Sequence, residues 1–157
     1  MHMTQQDFIQ LLAQVTGRIA GLPVDAALGD LLNQDFPADS WLFKAIQTAC
    51  AEGTSAGWMC QQEHGGIKFG RVAKPCPELH GFSIDVVDMS EVVGPHHRHP
   101  LGEIDMIMPL EGDARFDGHG AGWFVYGPDS AHKPTVTGGR AYVLYLLPEG
   151  TIEFTRN

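Results

Sequence analysis

The 157-residue sequence predicts a mainly β domain with an α-helical N-terminal segment, its strands forming an antiparallel sandwich or barrel. Three observations carry this expectation. Apolar residues recur at helical spacing as far as about residue 52. From residue 57 onward they alternate in short runs instead. Gly, Pro and Asp punctuate those runs at small intervals. Residues 1–56 are therefore expected to pack as a helical segment on the β portion, 57–157, or on a dimer partner. The length suits one domain with a single sizeable core.

Taken in order, Thr4 can cap a first helix with Asp7 in its opening turn, and Phe8, Leu11, Leu12, Val15 and Ile19 form its apolar stripe. Gly21 and Pro23 stop it. A second short helix carries Val24, Ala27, Leu28, Leu31 and Leu32 and ends before Pro37. A third starts at Asp39 or Ser40, presents Trp41, Leu42, Ala45, Ile46 and Ala49, and ends at Gly53. Residues 57–62 and 67–72 flank Glu63-His64-Gly65-Gly66, a hairpin signal. Strands are then expected over Phe82–Val86, Glu103–Leu110, Ala114–Phe116, Trp123–Tyr126, Ala141–Leu147 and Thr151–Phe154. No internal repeat or low-complexity tract divides the chain.

Composition narrows the function. Ten basic against nineteen acidic residues give a net charge of -9, which repels phosphate backbones and anionic lipid and argues against nucleic-acid or membrane-surface roles. No long apolar run or basic-then-apolar leader is visible, so neither a transmembrane segment nor a signal peptide is expected. Cys50, Cys60 and Cys76 are odd in number and lack metal-type spacing, which fits a reducing compartment and hence the cytoplasm. His2 lies beside the initial methionine and carries no weight.

Five of the eight histidines fall between positions 96 and 132. His97 and His99 are two apart, so an extended strand points both to one face while His96 and Arg98 point to the other. Glu103 and Asp105 share the parity of His97 and His99, although Pro100 and Gly102 interrupt the run. His132 follows the turn Pro128-Asp129-Ser130 and could supply a third nitrogen. Neutral imidazoles and a carboxylate suit one divalent metal such as Zn, Fe, Mn, Ni or Cu, and the residues do not select among them. His64, His80 and His119 read as turn or surface histidines.

These residues resemble the cupin pattern. Its first motif runs Gly, five residues, His-x-His, three or four residues, Glu, six residues, Gly; its second runs Gly, five residues, Pro-x-Gly, two residues, His. His97-x-His99-x-x-x-Glu103 matches the core of the first motif, and Gly122 followed after five residues by Pro128 matches the start of the second. Four positions depart from it. Gly94 precedes His97 by only two residues. Gly112 follows Glu103 too late, which leaves Asp105 a rival for the carboxylate role. Ser130 replaces the usual Gly, and His132 arrives one residue early. The resemblance implies a cupin-type antiparallel β-barrel, the double-stranded β-helix or jelly roll.

A narrower resemblance covers roughly residues 68 to 154. Gly70-Arg71-Val72-Ala73-Lys74-Pro75, the run from His80 to Met89, Gly102-Glu103-Ile104-Asp105-Met106-Ile107-Met108-Pro109-Leu110 and the run from Ser130 to Arg140 look like the small bacterial family that includes 4-hydroxylaminobenzoate lyase. The resemblance implies conversion of 4-hydroxylaminobenzoate to 3,4-dihydroxybenzoate with release of ammonia, in nitroaromatic breakdown. Such a reaction needs an acid for the departing N–OH oxygen, water at the ring carbon beside the nitrogen, and imine hydrolysis. A metal on His97, His99, Glu103 and His132 could polarise that oxygen or bring the pKa of a bound water toward ~7. Without one, Glu103 or Asp105 with a pKa raised by an apolar pocket could act as the acid. Arg71 and Arg115 are the expected carboxylate-binding cations, and Trp123, Phe124 and Tyr126 could stack on the ring.

Two other readings fit the same residues. One is a metal-dependent cupin dioxygenase, which would consume oxygen; the other is a non-catalytic small-molecule-binding cupin. Sheet edges and apolar helical stripes in a chain of this size also lead us to expect a homodimer.

Overall fold

The computed structural model describes residues 3–155; His2 lies outside the described residues. Three helices come first. In α1 (Gln5–Ile19) Thr4 and Asp7 form a reciprocal capping box, and Phe8, Leu12, Val15 and Ile19 are buried. Asp25 caps α2 (Ala26–Asp35) and Ser40 caps α3 (Trp41–Ala56). The third helix runs a turn beyond the expected stop. Gly57, at φ 87°, takes the left-handed closing position, while Gly53 lies inside the helix, where a Cβ would come within 2.9 Å of the Trp58 ring.

The strands are β1 (Gln62–His64), β2 (Ile67–Ala73), β3 (Phe82–Val93), β4 (His97–His99), β5 (Glu103–Phe116), β6 (Gly122–Tyr126), β7 (Ser130–His132), β8 (Thr135–Pro148) and β9 (Glu153–Phe154). The expected hairpin forms, with Gly65 and Gly66 at φ 60° and 83° as its two turn residues. Its first strand is shorter than anticipated, because Met59 is drawn into the helical core.

A six-stranded antiparallel sheet runs β1-β2-β3-β8-β5-β6, and a three-stranded one runs β7-β4-β9. The protein is thus mostly β with helices, as expected. The closed barrel is a correction: among the described residues no ladder joins the two sheets, because β4, β7 and β9 are only two or three residues long.

The large sheet is buried on both faces, which explains the apolar density of β5 and β8. Ile104, Met106, Met108, Tyr142, Leu144 and Leu146 face the helices and pack with Phe8, Leu12, Phe43 and Ile46. The alternate residues Ile107, Val143, Tyr145 and Leu147 form a second apolar cluster on the opposite face, together with Met89, Phe116 and Val136. Glu103 and Asp105 share the parity of Ile107, so two carboxylates stand among these side chains. No described helix is long and apolar enough to cross a membrane.

Candidate active site

Strand β4 places His97 and His99 on one face, buried, with Arg98 on the other, held by Glu153 and Asp129. Strand β7 pairs with it so that His132 stands opposite His97 and Ser130 opposite His99. Gly102, at φ 95°, turns the chain from β4 into β5. A Cβ there would lie 2.6 Å from Val24 Cγ1 and 2.9 Å from the Tyr126 carbonyl oxygen, so a glycine is what lets Glu103 follow so closely. The sequence-expected quartet is brought together: the ligating atoms of His97, His99, Glu103 and His132 all lie within 4.8 Å of one another.

The three imidazoles are turned the same way. Their Nδ1 atoms face Pro95 O at 3.3 Å, Ser130 Oγ at 2.9 Å and an Asp117 carboxylate oxygen. The Ser130 hydroxyl donates to Gly127 O, so it is free to accept from His99. With the protons on Nδ1, every Nε2 is left to bind a cation beside Glu103; without a cation, an Nε2 proton hydrogen-bonds to that carboxylate instead. Those Nε2 atoms stand 3.3, 3.2 and 3.4 Å from its carboxylate oxygens for His97, His99 and His132.

The donor set fits a divalent metal on two further counts. His99 Nε2 and Glu103 Oε2 are fully buried with no partner in hydrogen-bonding geometry, a costly arrangement unless a cation satisfies them. His97 Nε2 and His132 Nε2 lie 3.1 Å apart, where two facing lone pairs would repel unless a cation or proton sits between them. These four residues therefore form a buried group that could bind a metal ion.

The two carboxylates of β5 are driven apart. Burial alone would raise Glu103, but hydrogen bonding to His132, His97 and His99 holds it well below the usual carboxylate range. Asp105 has no such partners. Burial first, and then the charge of Glu103, push it well above the usual range, and neither of its oxygens makes a hydrogen bond to a described residue. Burial pulls His132 down, yet Asp117 and Glu103 outweigh it and lift that imidazole to about 9.

Beside the quartet lies a cavity of about 480 Å³, with His97, Tyr145, Phe154, Ile152, Phe69 and Arg71 in its wall. Most of the lining is apolar, which suits an aromatic ligand. Glu103, Asp105 and His99 lie beside the cavity rather than in its wall. Arg71 is already paired, through Nε to Asp85 Oδ1 at 3.0 Å and through Nη2 to Asp85 and Gly150 O; its Nη1 has no hydrogen bond to a described residue. His64, read from sequence as a turn or surface residue, lines the same cavity.

Other expected residues lie elsewhere. Trp123 faces the helices, its Nε1 donating to Phe36 O and its ring edge-on to Phe43. Arg115 is half-exposed near the far end of β5, 3.6 Å from Asp113 and remote in register from Glu103. Tyr126 does face the site, with its ring 4.4 Å from that of His132. Sequence reasoning missed Asp117, Tyr145 and Phe154. Asp117-Gly118 looks like an ordinary turn, and nothing local marks its carboxylate as reaching His132.

The family model described as "PnbB: 4-hydroxylaminobenzoate lyase" matches residues 10–154. A relative from Nocardioides sp. (strain LMS-CY), named 4-hydroxylaminobenzoate lyase, is 32 % identical over 160 residues, covering 96 % of this chain and 95 % of the relative. A protein of the same name from Pseudomonas putida is 31 % identical over 163 residues, covering 93 % of this chain and 90 % of the relative. Among solved structures, an acetylacetone dioxygenase from Acinetobacter johnsonii is similar with a TM-score of 0.46 and 13 % identity, over 60 % of this chain and 66 % of that one.

Proposed function

The chain belongs to the 4-hydroxylaminobenzoate lyase family, and from that premise we propose that it converts 4-hydroxylaminobenzoate and water into 3,4-dihydroxybenzoate and ammonia. The observation that carries the reading is the convergence of three histidines and a carboxylate beside an apolar cavity of about 480 Å³, with His97 in its wall, in a chain matched by that family almost throughout.

His97, His99, Glu103 and His132 would hold one divalent metal, of the Zn, Fe, Mn or Ni type. Bound there, the metal supplies Lewis acidity toward the hydroxylamine oxygen or toward a water molecule. The remaining work falls to the chain itself. The cavity's apolar walls, including Phe69, Ile152 and Phe154, exclude water and sandwich the ring. Arg71 offers its free Nη1 to the ring carboxylate, while Asp85 keeps the guanidinium oriented. His97, the one member of the quartet in the cavity wall, marks the end at which the N–OH group is directed.

We assign Asp105, buried behind the cavity wall beside Glu103, as the proton source for departure of the hydroxylamine oxygen as water. It is protonated because it is buried beside an ionised Glu103. Water then adds at the ring carbon beside the nitrogen, and hydrolysis of the imine tautomer releases ammonia. Each turnover loses one water and takes up two, so no external oxidant or reductant is needed. Anaerobic incubation of purified protein with 4-hydroxylaminobenzoate is expected to release ammonia and 3,4-dihydroxybenzoate in equal amounts. A strict need for oxygen, or binding without turnover, would refute the reading. The expected homodimer belongs to the same proposal, since β1 is a sheet edge with no partner strand among the described residues and Trp41 is 72 % exposed; light scattering reads it directly.

A further inference from the structure

Asp117 follows the last residue of β5 at a φ of 50° and belongs to neither histidine motif. Both of its carboxylate oxygens are engaged. One accepts from the backbone N–H of Thr135 at 2.9 Å, while the backbone N–H of Asp117 donates to Thr135 O at 2.8 Å, a reciprocal clamp onto the start of β8. The other oxygen faces Nδ1 of His132 and accepts from the Tyr126 hydroxyl. Asp117 thus reaches from the six-stranded sheet to a histidine carried by the three-stranded one.

The three imidazoles are not supported equally. His97 and His99 sit on one strand, at 2 % and 0 % side-chain exposure, and lean on the neutral oxygens of Pro95 and Ser130. His132 is more open, at 10 %, and stands on a three-residue strand that, among the described residues, pairs only with β4. It alone of the three has a carboxylate behind it. A carboxylate at the far nitrogen fixes the tautomer and ring direction of a ligating histidine and makes the near nitrogen a better donor.

We propose that Asp117 is the positioning residue of the metal site: through His132 Nδ1 it turns Nε2 toward Glu103, and through Tyr126 it packs an aromatic ring against the same imidazole. This rests on the metal reading given above, but its test does not depend on turnover. Zinc titration of chelator-treated protein compares the wild type with Asp117→Asn, which keeps the side-chain size and removes the charge. The variant is expected to bind one zinc per chain, as the wild type does, with affinity lower by about 10- to 100-fold. In metal-free protein, imidazole nitrogen NMR is expected to show a slowly exchanging Nδ1–H on His132 that Asp117→Ala loses, with the His97 and His99 signals little changed. Equal and measurable zinc affinity in wild type and variant, or an unaltered His132 signal, overturns the proposal. If the wild type binds no zinc at all, the metal reading fails and the NMR comparison alone decides the role of Asp117.

Discussion

Glu103 and Asp105 stand two residues apart on one face of β5, and their surroundings send them to opposite protonation states. Three imidazoles surround Glu103, whereas Asp105 is buried without an imidazole partner and feels the charge of Glu103. Their roles should separate accordingly. Asp105→Asn is expected to lower kcat by about 100- to 10,000-fold while leaving bound metal in place; Glu103→Gln should lose the metal. Metal analysis beside steady-state kinetics distinguishes the two, and equal metal loss in both variants would contradict the division. The sequence shows the parity of these carboxylates but not their partners, because the histidines that distinguish them arrive from another sheet. Trp123 and Tyr126 illustrate the same limit. Three residues apart, they must face opposite ways on a strand, and only the pairing of Tyr126 with Glu103 says which one faces the site. Arg115 lies beyond register shifts near Pro109 and Gly112 that local spacing does not reveal.

At the scale of elements, the helices and the long strands are legible because caps, turn glycines and alternation all agree. The capping box at Thr4 and the Gly65-Gly66 turn stand where the residues place them. The short strands β4, β7 and β9 are a different matter. Two or three residues carry too little alternation to reveal pairing, so the open two-sheet arrangement is not visible beforehand. The hinge between β4 and β5 nevertheless concentrates much of the site's precision at Gly102. Gly102→Ala combines a left-handed backbone with contacts of 2.6 and 2.9 Å to Val24 and Tyr126 O. It is expected to cost on the order of 1–3 kcal/mol of stability and to weaken metal binding by displacing Glu103. Denaturant unfolding with and without metal checks this, and an unaffected midpoint and metal content would contradict it.

For the whole molecule, His132 couples stability, metal binding and pH. Its imidazole is lifted from 6.5 to about 9 in the folded, metal-free protein. A raised folded-state pKa stabilises fully below the unfolded value and is lost as pH rises through the folded one. Metal-free protein should therefore lose stability, on the order of a few kcal/mol, between pH 6.5 and about 9. Metal binding runs the other way, because Nε2 must give up its proton, so affinity should climb across the same window. Thermal melts and metal titrations at matched pH values read both slopes, and parallel slopes would be inconsistent with His132 as a ligand.

In the proposed reaction, lyase turnover depends on a metal held by His97, His99, Glu103 and His132. The most direct measurement is anaerobic ammonia release from 4-hydroxylaminobenzoate by metal-analysed protein, before chelation, after chelation and after metal is restored. We expect one divalent metal per chain, activity lost with it and recovered on its return, and no recovery in His99→Ala. Full activity after complete removal of the metal would contradict the account.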